Sequence, residues 1–103
     1  MTPAQSIIHE VALSMGLTSE DLTGSCRWAR YAEGRHLAAW AIRHALGLPY
    51  TAIGAVMGGR HHTTVMHSVQ KVDARLDEYE RAKMIVMLRE AGELRRALQL
   101  VGA

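Results

Sequence analysis

The sequence predicts an all-α fold: a multi-helix domain with a central helix-turn-helix and an additional C-terminal helix. Three observations carry this. Ala, Leu, Met, Arg and Glu dominate, Phe is absent and β-branched runs are few, a composition that favours helix. Apolar residues recur at spacings of three and four along much of the chain, the signature of amphipathic helices. In Ala52–Val72, AIGAVMGGRHHTTVMHSVQKV, an apolar segment stops at Gly58-Gly59, a cluster of polar and cationic residues follows, and Val65, Val69 and Val72 then return at helical spacing. Helix, glycine turn and a helix with a polar, cationic first turn is the layout of a helix-turn-helix.

The elements follow in order. Ile7, Ile8, Val11, Ala12 and Met15 give one apolar face, which predicts a first helix over about 4–15, with Pro3 at its start and Gly16 as its stop. Leu17 to Leu22 reads as a short capped turn, with Thr18 or Ser19 as cap and Glu20 and Asp21 at the positive end of the dipole. Cys26–Gly34 is either a basic loop leading into a helix or already that helix. The helix then runs to about Ala45, with Leu37, Ala38, Ala41, Ile42 and Ala45 as its buried stripe and Trp40 flanking. Pro49 suits the first turn of a short helix containing Tyr50, Ile53, Ala55, Val56 and Met57. A recognition helix is expected over about 61–75, with Val65, Met66, Val69, Val72 and Leu76 toward the core. A final helix is expected over about 78–100, its apolar set being Tyr79, Ala82, Ile85, Val86, Leu88, Ala91, Leu94 and Leu98, with a break near Asp77 or a continuous helix from 61 onward.

Composition excludes several classes. The 103 residues are expected to form one domain, 1–103, with 49% hydrophobic residues arguing against wholesale disorder. No stretch approaches the ~18 uncharged apolar residues of a membrane span, and the N-terminus lacks the pattern of a signal peptide. Cys26 is the only cysteine, so neither an internal disulfide nor a paired-cysteine metal site can form. These features fit a cytoplasmic protein without a membrane partner. No carboxylate pair, nucleophile–base set or cofactor loop can be assembled, so neither an enzyme nor a bound cofactor is expected. His61, His62 and His67 lack the i,i+4 spacing of paired ligands on one helix, so no metal site is expected.

The net charge of +2 conceals a gradient. Residues 1–26 carry Glu10, Glu20 and Asp21 with no Lys or Arg. Residues 27–72 carry Arg27, Arg30, Arg35, Arg43, Arg60 and Lys71 against Glu33 alone, with five of the six histidines. Residues 73–103 hold six charges of each sign. Positive charge thus gathers around the helix-turn-helix, as an electrostatic footprint for phosphate requires.

The motif itself suits duplex DNA. The free N–H groups and positive dipole end of the recognition helix favour phosphate oxygens. Thr63 and Thr64 offer hydroxyls to phosphates or bases and methyls to thymine. Arg60 can clamp a phosphate or a guanine edge, and His61 and His62 can donate to guanine acceptors or to phosphate. Trp28 and Trp40 read as core anchors, Trp28 less clearly so among its arginines. Met57, Met66, Met84 and Met87 read as gap-filling core residues. His36 and His44 read as ordinary surface residues, and Cys26 as an inert thiol.

GGRHHTTVMHS resembles the signature GGRDHTTVxHA of the C-terminal DNA-binding domain of the bacterial replication initiator DnaA. Ile53-Gly54 is similar to that family's Ile-Gly, Arg35 to its Arg-x-x-Ala pattern, and the likeness covers roughly residues 5–75. The resemblance implies a Trp-repressor-like helical fold and sequence-specific binding to a DnaA-box-like site, regulating replication initiation or transcription. It implies that Arg35 reaches the minor groove, that His62, Thr63 and Thr64 meet the major groove, and that Arg60 touches phosphate or base nearby. Arg27 and Arg30 fall in the family's phosphate-contacting loop, and His67 matches a histidine expected to be structural. Two departures stand out. His61 replaces an Asp: Asp accepts from cytosine N4, whereas His more readily donates to guanine, so a changed or relaxed site is expected. The initiator's ATPase has no counterpart, for there is no GxxxxGK[ST] loop, and a stand-alone domain, host- or phage-encoded, is expected. A rival reading is an adaptor that binds an initiator or regulator protein through its C-terminal helix, with weak or lost DNA binding. A homodimer through that helix would present two half-sites.

Overall fold

The computed structural model describes residues 1–87 and 90. Helix α1 (Pro3–Ser14) opens on a reciprocal cap: the Thr2 hydroxyl accepts from Gln5 N–H at 3.1 Å, and the Gln5 side chain accepts from Thr2 N–H at 2.9 Å. It closes at Gly16, φ +70°, where Leu17 N–H donates to the Ala12 carbonyl and Gly16 N–H to that of Leu13, the paired bonds of a Schellman ending. The expected short turn is a five-residue helix, α2 (Ser19–Thr23), capped reciprocally by Thr18 and Asp21.

The ambiguous stretch before the third helix divides at Trp28. Residues up to Trp28 are loop, and α3 runs Ala29–Leu46. Gly34 lies inside it because α2 packs there: a Cβ would stand 2.5 Å from a methyl of Leu22. Ala38, Ala39, Trp40, Ala41 and Ile42 are all buried, and five consecutive residues span more than a full turn, so α3 is surrounded at its middle. Gly47, φ +64°, ends it. Pro49 occupies the cap position of α4 (Tyr50–Val56) rather than its first turn, because its extended ψ of 153° places it just outside the helix.

Helix α5 (His62–Arg75) buries Val65, Val69 and Val72. Met66, expected to face the core, is only half-buried. The chain leaves the helix at Leu76, ψ 132°, and Asp77 then caps the next segment by accepting from Glu80 N–H at 2.7 Å. Of the two alternatives, the break near Asp77 is the one observed, and the helix is not continuous from 61 onward. A further helix, α6, is described over 78–87. Met84 and Ile85 pack against the core, but Tyr79, Ala82 and Val86, expected on the apolar face, are exposed, as is Met87. The reason is tertiary: only the side of α6 that carries Arg81, Met84 and Ile85 meets the rest of the fold. The expected Leu88, Ala91, Leu94 and Leu98 contacts lie outside the described residues.

Described residues of all five preceding helices share one core, centred on Trp40, Ile8, Leu22, Ile42, Ile53, Met57 and Val72. Asp73 joins three helices around it. Its Oδ1 accepts from Trp40 Nε1–H at 2.8 Å and lies 3.3 Å from Arg81 Nε, while its backbone carbonyl accepts from Arg81 Nη2–H at 2.9 Å. His44 is accordingly not an ordinary surface residue: its ring stacks on Trp40 at 4.4 Å. Trp28 departs from expectation in the other direction. It is 69% exposed, 5.6 Å from the ring of Tyr31.

Candidate nucleic-acid interface

The interface is built on a turn that only glycine permits. Gly54, inside α4, accepts two backbone bonds at its carbonyl, from Gly59 N–H at 3.0 Å and Arg60 N–H at 2.9 Å. The returning chain presses so close that a Cβ on Gly54 would lie 2.1 Å from the Arg60 carbonyl oxygen. Gly58 has φ +87°, and a Cβ there would lie 2.1 Å from the Thr23 carbonyl oxygen. Gly59 has φ +80° with open space around it. Gly58 thus answers both a backbone and a steric demand, and Gly59 a backbone demand alone.

Arg60 fixes this turn from the side. Its guanidinium donates to the carbonyls of Thr23, Gly24 and Met57. Burial, and then the charge of Arg35, pull its pKa below the ordinary value, although a guanidinium stays charged at neutral pH. The Nη1 and Nη2 donors of Arg60, expected to clamp phosphate or guanine, are engaged on backbone carbonyls in the free chain. Arg35 is similarly engaged: at 8% exposure it donates to the Cys26 carbonyl. Arg30 donates to the Met15 carbonyl across the end of α1. Arg27 is exposed. The four arginines thus differ sharply in freedom, which their shared residue type concealed.

Beyond the turn, His61, His62, Thr63 and Thr64 are all exposed. They form the tip of α5, whose opposite side is anchored by three valines. His61 is the cap residue: its Nδ1 accepts from Thr63 N–H at 3.2 Å and lies 2.8 Å from Thr63 Oγ1. Its ring rests on that of His62 at 4.2 Å. His67, expected to be structural, is exposed.

The tip continues into an open groove between α3 and α5, lined by His36, Thr64, His67, Ser68, Gln70 and Lys71. Four of these share one side of α5. Thr64, His67, Ser68 and Lys71 recur at spacings of three and four, off the valine stripe. His36 comes from another helix and could not be placed there by periodicity. Its pKa lies below 6.5, first through burial and then through the cations Lys71, Arg75 and Arg35, with Glu33 opposing. Lys71 and His67 thus line the groove beside His36, with no Asp or Glu in its lining. Among the described residues no His, Cys, Asp or Glu side chains cluster as a metal set, and no helix is long and apolar enough to cross a membrane.

The family model for the bacterial dnaA protein helix-turn-helix matches residues 4–72, from the first turn of α1 nearly to the end of α5. The chain is 35% identical over 89 residues to the chromosomal replication initiator protein DnaA of Thermomicrobium roseum, covering 84% of this chain and 19% of that protein. It is 42% identical over 66 residues to the DnaA protein of Thermus thermophilus, covering 64% and 15% respectively. It is 37% identical over 86 residues to that of Spiroplasma citri, covering 84% and 19%. The chain spans less than a fifth of the length of these relatives. No solved structure matches it.

Proposed function

The chain belongs to the bacterial DnaA helix-turn-helix family, and from that premise we propose that it binds double-stranded DNA by inserting the N-terminal turn of α5 into the major groove. The observation that carries this reading is the exposure of His61, His62, Thr63 and Thr64 together, on a helix held by Val65, Val69 and Val72 against the core. A reading helix needs side chains free at its tip and a rigid seat behind them. The target is a DnaA-box-like duplex site, and the role is regulation of replication initiation or transcription from such sites. Residues 1–103 act as one DNA-binding domain in this reading.

The arginines divide the work. Arg27 contacts phosphate directly. Arg35 reaches the minor groove only by releasing the Cys26 carbonyl, and Arg30 reaches phosphate by releasing that of Met15. Arg60 serves binding through the turn that it holds. Lys71 and His67 extend the phosphate-facing surface along the groove. Selection from a randomised duplex library, read by sequencing, tests the proposal directly. A Thr63→Ala/Thr64→Ala double variant should then lose roughly 1–3 kcal/mol on the selected site, with little change on unrelated duplex. Unchanged affinity for the best site would show that α5 is not the reader.

A second reading rests on Tyr79, Val86 and Met87, which leave apolar surface on α6 exposed. Here α6 docks another protein, either a replication initiator or a second copy of this chain. Gel filtration at high concentration separates the copies: a clean monomer removes the homodimer.

A further inference from the structure

The cap of α5 fixes which hydrogen-bonding group His61 presents. A backbone amide can only donate, so the 3.2 Å bond from Thr63 N–H requires a bare lone pair at His61 Nδ1. The Thr63 hydroxyl, 2.8 Å from the same nitrogen, must then donate as well. Two donors on Nδ1 leave the neutral ring a single tautomer, with its proton on Nε2. That nitrogen is on the opposite side of the ring from the cap, on an exposed residue. The His62 ring packs beside that of His61 in a tilted contact, 4.2 Å between centroids and 34° between planes. His61 therefore carries a donor-only edge in a fixed orientation at the tip of the helix.

From this we propose that His61 is a specificity-determining residue, and that its cap-enforced Nε2–H selects guanine at one base position. The inference rests on the DNA-binding reading above. In the major groove, guanine alone offers two acceptors, N7 and O6, without an adjacent donor. Adenine pairs its acceptor with a donor, cytosine presents a donor, and thymine offers a single acceptor, O4, beside its methyl group. A donor-only edge therefore meets guanine without an unmatched partner. The same geometry withdraws the Thr63 hydroxyl proton from base contact, so the donor at this point of the interface is His61 and not Thr63. Capping and base selection are properties of one imidazole: the nitrogen that completes the helix determines the polarity of the nitrogen that reads.

The test compares libraries selected by the unmodified chain and by His61→Asp. Aspartate also caps a helix but presents acceptors only. The expected result is a change at a single position from guanine to cytosine, with about 5- to 150-fold discrimination between the two duplexes in direct binding. Identical selected sites for the two proteins would overturn the assignment while leaving the DNA reading intact. Enrichment of no site by the unmodified chain would overturn both. A readout independent of DNA is the long-range 1H–15N NMR spectrum of the His61 ring at a pH where the ring is neutral. It should show the proton on Nε2, and a proton on Nδ1 would overturn the proposal even if His61→Asp failed to fold.

Discussion

At the turn before α5, one side chain holds three backbone carbonyls. Arg60 reaches Thr23, Gly24 and Met57 from a half-buried position, so its loss strands acceptors that solvent reaches only in part. Arg60→Ala is expected to cost about 1–3 kcal/mol, read by chemical denaturation in the absence of DNA. Arg60→Lys should recover little, since an ammonium lacks the planar fork that spans several carbonyls. An unchanged unfolding midpoint in Arg60→Ala would return the guanidinium to the pool of free phosphate ligands. The residue is visible in the sequence as a cation next to two histidines, but two of its three partners, Thr23 and Gly24, are 37 and 36 positions away, which no local pattern reveals.

At the scale of elements, the glycine turn sets the angle between α4 and α5. Gly58 and Gly59 differ in what surrounds them, and that difference is measurable. Gly59→Ala incurs only the strain of a positive φ, roughly 1–2 kcal/mol. Gly58→Ala incurs the same strain and also drives a methyl into the Thr23 carbonyl, for which overpacking adds about 1–3 kcal/mol. Thermal unfolding should rank the variants in that order, and equal losses would show that the contact with α2 relaxes freely. The first, third and fifth helices were legible because their apolar spacing is long and regular. The start of α3 was not, since Trp28 caps it without any side-chain hydrogen bond. Trp28 itself was misplaced because hydrophobic area argues for burial, and only the packing shows that of the two tryptophans Trp40 alone enters the core.

Across the whole molecule, charge separates into a basic middle and an acidic or balanced remainder. Arg27→Ala should weaken binding to all duplexes alike and lower the salt slope by about one unit, measured by titration across a range of salt concentrations. Site-selective weakening would instead place Arg27 at a base. His36 reports on the same basic field. Its folded pKa lies below 6.5, so the unfolded chain takes up the proton first as pH falls. Its contribution to stability is intact above 6.5 and is lost as pH drops from there through the folded value. Melting of the unmodified chain should therefore decline over that window relative to His36→Asn, and parallel curves would show that His36 is not the group responsible.

The sequence by itself determined the helical class, the position of the helix-turn-helix, the basic character around it and the four residues at the tip of α5. Each of these is a local quantity, written in periodicity, turn chemistry or charge counts. Tertiary structure alone decided which arginines are free, why Gly54 must lack a side chain, where α6 finds a surface, and that His36 joins the groove from α3. It also decided that His61 caps α5 through its Nδ1. The physical reason is that hydrogen-bond partners and close approaches link residues remote in the chain, and a donor already satisfied by a carbonyl is chemically different from the same donor left in water.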